Sequence, residues 1–147
     1  MKKIILILAV AASFAACKTN DKKAAPAMSP EEINKIVNDT TSFTTIEWLD
    51  KSPLDLGKTK AGSIVEVAFR FRNSGNKPLV ISSVTAQCGC TVPESPKEPF
   101  APGQEGVIKA TFNSKGYSGL ASKHITVVAN TDPTSTHDLT FNVQVTE

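Results

Sequence analysis

Apolar and polar residues alternate with a period of two over most of the chain after Thr41. In residues 65–72, with the sequence VEVAFRFR, every second side chain is a large apolar one. Such alternation is typical of a strand with one buried face. Shorter runs of the same kind occur at residues 46–48, 78–84, 108–112, 125–129 and 139–145. The pattern therefore predicts six or seven short strands within residues 43–147.

Turn-forming residues separate these runs, and no helical periodicity lies between them. The turn signals stand at residues 73–76, 102–103, 116–119 and 130–133. A parallel sheet would need helical crossovers between its strands, so the pattern favours an all-β antiparallel sandwich. A small closed barrel is the alternative architecture, because the number of strands suits both.

The N-terminus has the pattern of an export signal. Lys2 and Lys3 precede an apolar stretch over residues 4–16, which is too short to span a bilayer about 30 Å thick. The stretch ends in Phe-Ala-Ala followed by Cys17, which resembles the bacterial lipobox, where a cysteine is acylated. We therefore expect residues 1–16 to be cleaved and Cys17 to attach the protein to a membrane. Lys18 then favours the outer membrane of the cell envelope.

A tether with one short helix is predicted over residues 17–42. Its first part, KTNDKKAAPAM at residues 18–28, is charged and alanine-rich and has too few apolar residues to pack. Residues 29–32, Ser-Pro-Glu-Glu, then have the form of a capping box with proline at the first helical position. Apolar residues at 33, 36 and 37 follow at helical spacing, which predicts a helix over residues 30–38.

Charge and motif content exclude several functions. The chain has 16 basic and 14 acidic residues, so loss of Lys2 and Lys3 leaves 16 − 2 = 14 basic residues and a net charge near zero. Without a basic cluster we expect no binding of nucleic acid. The sequence at residues 116–119, Gly-Tyr-Ser-Gly, is not a nucleophile elbow, and no phosphate-binding or calcium-binding loop is present. We expect neither a catalytic residue nor a cofactor in the sandwich itself.

Cys88-Gly89-Cys90 is the chemically suggestive motif of the chain. In a regular strand these two cysteines would be about 6.6 Å apart, farther than a disulfide prefers, so a bond requires a turn at Gly89. We expect the pair to lie where a strand ends. Three interpretations remain open: a local disulfide or packed thiols, a thiol–disulfide redox pair, and a copper or zinc site. His124 and His137 are the histidines that could complete a metal site.

Four segments together resemble the bacterial domain of unknown function 1573, found in envelope lipoproteins. They are Asp55-Leu56-Gly57, the segment of residues 73–81, Cys88-Gly89-Cys90-Thr91-Val92-Pro93 and residues 102–106. That family is similar to the major sperm protein and abnormal-spindle/hydin domains. The resemblance covers residues 43–147 and implies an immunoglobulin-like β-sandwich of about seven strands. The family has Phe where this chain has Leu56, and it has no settled activity.

The resemblance and the N-terminal pattern together suggest a function. We expect a non-enzymatic envelope lipoprotein that is held to a membrane through Cys17. Its domain would act as a protein-binding or structural module with a protein partner. The alternative is a thiol redox protein, or one that handles copper or zinc, working through Cys88 and Cys90.

Overall fold

The structure is a computed structural model that describes residues 27–147. It contains one α-helix, one short 3-10 helix at Thr40–Ser42 and eight strands. The elements are α1 (Pro30–Asn38), β1 (Ile46–Trp48), β2 (Leu54–Lys60), β3 (Ile64–Asn73), β4 (Ile81–Ala86), β5 (Thr91–Glu94), β6 (Glu105–Asn113), β7 (Gly119–Ala129) and β8 (Thr136–Thr146). No helix within this range has the length and apolar character that crossing a bilayer requires.

The strands form two separate four-stranded sheets, in the orders β1-β3-β6-β5 and β2-β8-β7-β4. This arrangement confirms the predicted sandwich and excludes the closed barrel. Neighbouring strands are antiparallel except β2 and β8, the one parallel pair among the strands of residues 27–147. The antiparallel prediction therefore needs this correction at one edge of the second sheet.

The core lies between the two sheets and is formed by the inward residues of the alternating runs. Phe69 and Phe71 of β3 are fully buried, as are Phe112 of β6 and Phe141 of β8. Burying an aromatic side chain of this size contributes roughly 1.5–3 kcal/mol. The rings of Phe112 and Phe141 meet edge to face with centroids 5.9 Å apart, which joins the two sheets directly.

Two strands were not predicted, and each lacks the period-two signal for a physical reason. β2 contains a bulge between Asp55 and Lys58, where Gly57 adopts a φ of 72° and donates its N–H to the Asp55 carboxylate. β5 is four residues long and contains Pro93. Its proline removes one backbone donor, which is tolerated because β5 lies at a sheet edge.

Helix α1 confirms the predicted helix over residues 30–38. The capping box is formed: Ser29 Oγ accepts from the Glu32 N–H, and the Glu32 carboxylate accepts from the Ser29 N–H. The helix lies against β4, and Met28 donates its N–H to the Lys97 carbonyl, yet none of the residues of α1 is buried. The predicted signal peptide, Cys17 and the first part of the tether lie outside the described residues.

Two buried asparagines hold the loops at the end of the sandwich where β3 and β7 finish. Asn73 donates from its side chain to the carbonyls of Lys77 and Phe100 and accepts from the Thr44 hydroxyl. Asn130 accepts the Val80 N–H at 2.7 Å. Because the Val80 N–H is bonded to this side chain, it does not pair with a neighbouring strand. Strand β4 begins at Ile81, three residues later than the predicted start at Pro78.

Candidate functional site

The cysteine pair lies at the crossover between the two sheets. β4 forms an edge of one sheet and β5 an edge of the other, and residues 87–90 carry the chain between them. Cys88 and Cys90 form a disulfide with their Cα atoms 5.2 Å apart, and Gly89 occupies the turn. The chain therefore turns where β4 has ended, as the sequence predicted. What the pair does remains a prediction.

The two sulfurs have different surroundings. Cys90 packs against the hydrophobic core, and its carbonyl accepts the N–H of Asn113 at 2.8 Å. Both cysteines are half-buried, and Gly89 between them is exposed; a Cβ added to Gly89 would meet no heavy atom within 4 Å. The hydroxyl of buried Thr91 lies 3.8 Å from the Sγ of Cys88 and 3.8 Å from that of Cys90. A polar hydrogen is thus held beside both sulfurs.

The two histidines do not complete a metal site with the cysteines. His124 lies on the outer face of its sheet, where its Nδ1 is 3.0 Å from the hydroxyl of Thr140. His137 lies near the start of β8, at the end of the sandwich opposite the disulfide. Within residues 27–147 no group of three or more His, Cys, Asp or Glu residues is arranged to hold a metal ion. The disulfide also leaves no thiolate as a ligand, so this structure gives the copper or zinc interpretation no support.

His137 is nevertheless in an unusual environment. It is partly buried, and this burial lowers its pKa below the ordinary value, while the neighbouring Asp138 carboxylate acts weakly in the opposite direction. The imidazole is therefore neutral at neutral pH.

A second candidate site covers the outer face of the β1-β3-β6-β5 sheet, called here the arginine face. Three large apolar side chains are exposed on it: Ile64 at 63%, Val92 at 61% and Val107 at 38%. Among the described residues the other exposed large hydrophobic side chain is Leu120, on the outer face of the opposite sheet. The exposed apolar side chains are thus concentrated on one side of the sandwich.

Ion pairs hold the arginines of this face in place. Arg70 contacts both carboxylate oxygens of Asp50, with the shortest distance 2.6 Å. Arg72 contacts Glu105 at 2.6 Å and Glu47 at 3.8 Å. The hydrogen bonds from Arg70 lower the pKa of the Asp50 carboxyl group and in return raise that of the guanidinium.

The middle of the arginine face is concave. Ala68 presents only a methyl group there, and a depression of about 210 Å³ lies around it. Its walls are formed by side chains of three adjacent strands, Glu66, Glu94, Lys109 and Thr111. The sequence could not identify this depression, because alternation shows which residues point outward but not which strands become neighbours.

The architecture is shared with several solved structures. The ASH / PapD-like domain 7 of human CEP192 is 13% identical with a TM-score of 0.56, and the match covers 94% of this chain and 99% of that domain. A Porphyromonas gingivalis protein of unknown function is 17% identical with a TM-score of 0.61, over 72% of this chain and 49% of the other. The secreted serine protease VesC of Vibrio cholerae is 13% identical with a TM-score of 0.53, over 78% and 25%.

These likenesses define the fold: an immunoglobulin-like β-sandwich that is similar to an ASH / PapD-like domain. The chain spans about half of the P. gingivalis protein and a quarter of VesC, and identities this low concern the fold alone. Comparison with curated proteins gives no match. The model of the family described as protein of unknown function DUF1573 matches residues 46–145, and the chain belongs to that family.

Proposed function

We propose that the domain is a protein-binding module of the cell envelope and that the arginine face makes the contact. One observation carries this proposal: three of the four exposed large hydrophobic side chains of residues 27–147 lie on that face. Single exposed apolar residues are ordinary on a monomeric domain, but their concentration on one face favours that face as the contact surface. The partner is a second envelope protein with a convex, partly apolar surface that matches the depression around Ala68.

The arginines support the same proposal. Arginine is enriched where proteins bind each other, because its guanidinium combines apolar contact with several directional donors. Arg70 and Arg72 are held by Asp50 and Glu105, so little side-chain entropy is lost when a partner docks on them. Arg70 and Val107 are direct cross-strand partners, which places a charged and an apolar contact side by side.

We also propose that the domain is anchored to a membrane, most simply the outer membrane, through acylated Cys17. The lipobox-like sequence before Cys17 supports this, as does the polar composition of the residues that follow it. Residues 18–27 separate Cys17 from Met28, which is hydrogen-bonded to Lys97 of the domain. Fully extended, the chain from Cys17 to Met28 reaches at most about 40 Å, so the sandwich would stay near the membrane surface.

Site-specific crosslinking in the native envelope tests the contact. A photoreactive amino acid at Val92 is expected to give one discrete crosslinked product, and the same group at Leu120 is expected to give none. Ile64→Lys should abolish the product by placing a charge within the apolar contact, with the melting temperature unchanged because Ile64 is exposed. Products from Leu120 alone, or a Val92 product that survives Ile64→Lys, would contradict the proposal.

Fatty-acid labelling tests the anchor separately. Wild-type protein should incorporate a clickable fatty acid and sediment with membranes. Cys17→Ser should lose the label and yield unprocessed or soluble protein, while Cys88→Ser should keep the label. Labelling that persists in Cys17→Ser would exclude this attachment site.

A further inference from the structure

We infer that the Cys88–Cys90 disulfide is a site of thiol–disulfide exchange, in which the domain oxidises a dithiol of another envelope protein. The inference rests on the disulfide of the crossover turn and does not use the arginine face. The exchange reaction and the proposed protein contact can therefore be wrong independently of each other. The disulfide lies close to Val92 of the arginine face in the chain, but its chemistry is covalent and its tests use small thiol reagents rather than a docked protein.

The small ring that the Cys88–Cys90 disulfide closes indicates that the bond is easily reduced. A disulfide stabilises a fold mainly by closing a long loop, and this one closes a loop with a single residue between its cysteines. Its loss removes little stability from the sandwich, whose sheets are joined by core contacts such as that between Phe112 and Phe141. Both cysteines are half-buried beside the exposed Gly89, and a disulfide that solvent reaches is more readily reduced than one enclosed in the core.

The surroundings favour attack on one sulfur. Both cysteines are half-buried beside the exposed Gly89, but Cys90 packs against the hydrophobic core and Cys88 does not. An incoming thiolate therefore reaches the Sγ of Cys88, and Cys90 becomes the leaving group. The Thr91 hydroxyl lies 3.8 Å from each sulfur, so it can donate to the Cys90 thiolate once the bond is broken. A stabilised leaving thiolate accelerates exchange.

The exchange proceeds in two balanced steps. A partner thiolate attacks Sγ of Cys88; a new sulfur–sulfur bond forms, and the pair of electrons from the broken bond goes to Cys90 as its thiolate. The second partner thiol, once deprotonated, attacks the partner sulfur of the mixed disulfide and releases the Cys88 thiolate. The partner leaves as a disulfide, and the domain holds two thiols after taking up two electrons and two protons.

Reduction of the folded protein is the first test. The full chain carrying Cys17→Ser, which has no third cysteine, is treated with dithiothreitol at pH 7 and its thiols are counted by alkylation and mass spectrometry. We expect the folded chain to be reduced within about tenfold of the rate of the chain unfolded in guanidinium. A folded chain reduced more than about a hundredfold more slowly would show a protected structural disulfide and overturn the inference.

Single-cysteine variants test the direction of attack. In the Cys17→Ser background, Cys88 of the Cys90→Ser variant should react with oxidised glutathione about tenfold faster than Cys90 of the Cys88→Ser variant. Equal rates, or a faster Cys90, would contradict the assignment of Cys90 as the leaving group.

The positioning role of Thr91 has its own measurement, made on the Cys90 thiol of the chain carrying Cys17→Ser and Cys88→Ser. Adding Thr91→Val should raise the pKa of this thiol, because a hydrogen bond to the thiolate is lost while the side-chain shape is kept. Thr91→Ser should preserve the pKa, because it keeps the hydroxyl. An equal pKa in the valine and serine variants would remove Thr91 from the mechanism.

Discussion

The indole Nε1 of Trp48 lies 3.5 Å from Nδ1 of His137, with the two rings edge to face and their centroids 5.8 Å apart. The other imidazole nitrogen, Nε2, is 2.8 Å from the Thr131 hydroxyl, which itself donates to the Thr134 carbonyl at 2.6 Å. Because that hydroxyl has one hydrogen, it must accept from His137. The proton of neutral His137 is thus on Nε2, and Nδ1 accepts from Trp48.

This relationship predicts that stability falls in mild acid. Protonation of Nδ1 would set its N–H against the N–H of Trp48 and would place a charge in a partly buried site. Both effects oppose protonation, in agreement with the lowered pKa of His137. The unfolded chain, whose histidine has the ordinary pKa near 6.5, therefore takes up the proton first as the pH falls. The contribution to stability is complete above that pH and is lost as the pH falls through the folded-state pKa. Denaturant unfolding at pH 7.5 and 5.0 measures the loss.

Trp48 is the only tryptophan in the chain and reports the same event by fluorescence. We expect its emission to change with pH in the folded protein, because the imidazole beside it becomes charged. His137→Gln should abolish this change and flatten the pH dependence of unfolding. His124→Gln, at an exposed histidine, is the matched control and should leave both intact; an unaltered emission titration in His137→Gln would contradict the account.

The packing of β3 makes a prediction about stability. Phe69 is fully buried, so Phe69→Ala should lower the free energy of unfolding by about 3–5 kcal/mol. Ile64→Ala on the outer face of the same strand should change it by about 0.5 kcal/mol or less. Equilibrium denaturation measures both. A loss below about 1 kcal/mol for Phe69→Ala would mean that the inner face of β3 is wrongly assigned.

The buried asparagine at the end of β3 makes a second prediction. Asn73→Ala leaves the carbonyls of Lys77 and Phe100 without the donors that now satisfy them, which should cost about 2–3 kcal/mol. Asn76→Ala, at an exposed position in the same turn, should be nearly neutral. Similar unfolding curves for the two variants would show that the network contributes little.

Proteolysis tests where the stable domain begins. A protease should cut within residues 18–42 and leave a resistant C-terminal core, because α1 has no buried residue whereas Thr44 is buried and its N–H is bound to Asn130. Mass spectrometry of the resistant fragment gives the boundary. Early cleavage within β3 or β6 would contradict a single domain starting near residue 43.

Local patterns made much of the fold predictable from the sequence. Strict alternation identified β3, β6, β7 and β8, and capping chemistry placed α1 at residues 30–38, because both signals depend only on neighbouring residues. The turn at Cys88-Gly89-Cys90 was also predictable, because the spacing of residues in a regular strand is too long for a disulfide between the two cysteines. β2 and β5 were missed, because a bulge at Gly57 and a proline at residue 93 interrupt the period.

Residue alternation and turn chemistry were enough to predict most of the core-facing residues, the main turns and a turn at the cysteine pair. The contacts between distant residues became known from the folded structure alone. The pairing of β2 with β8 is parallel, Trp48 reaches His137 across the two sheets, and Gly106 lies against the rings of Phe71 and Phe100, where an added Cβ would come within 2.4 Å. Such contacts depend on strand order and register, which arise from packing of the whole core and leave no periodic signal in any one segment.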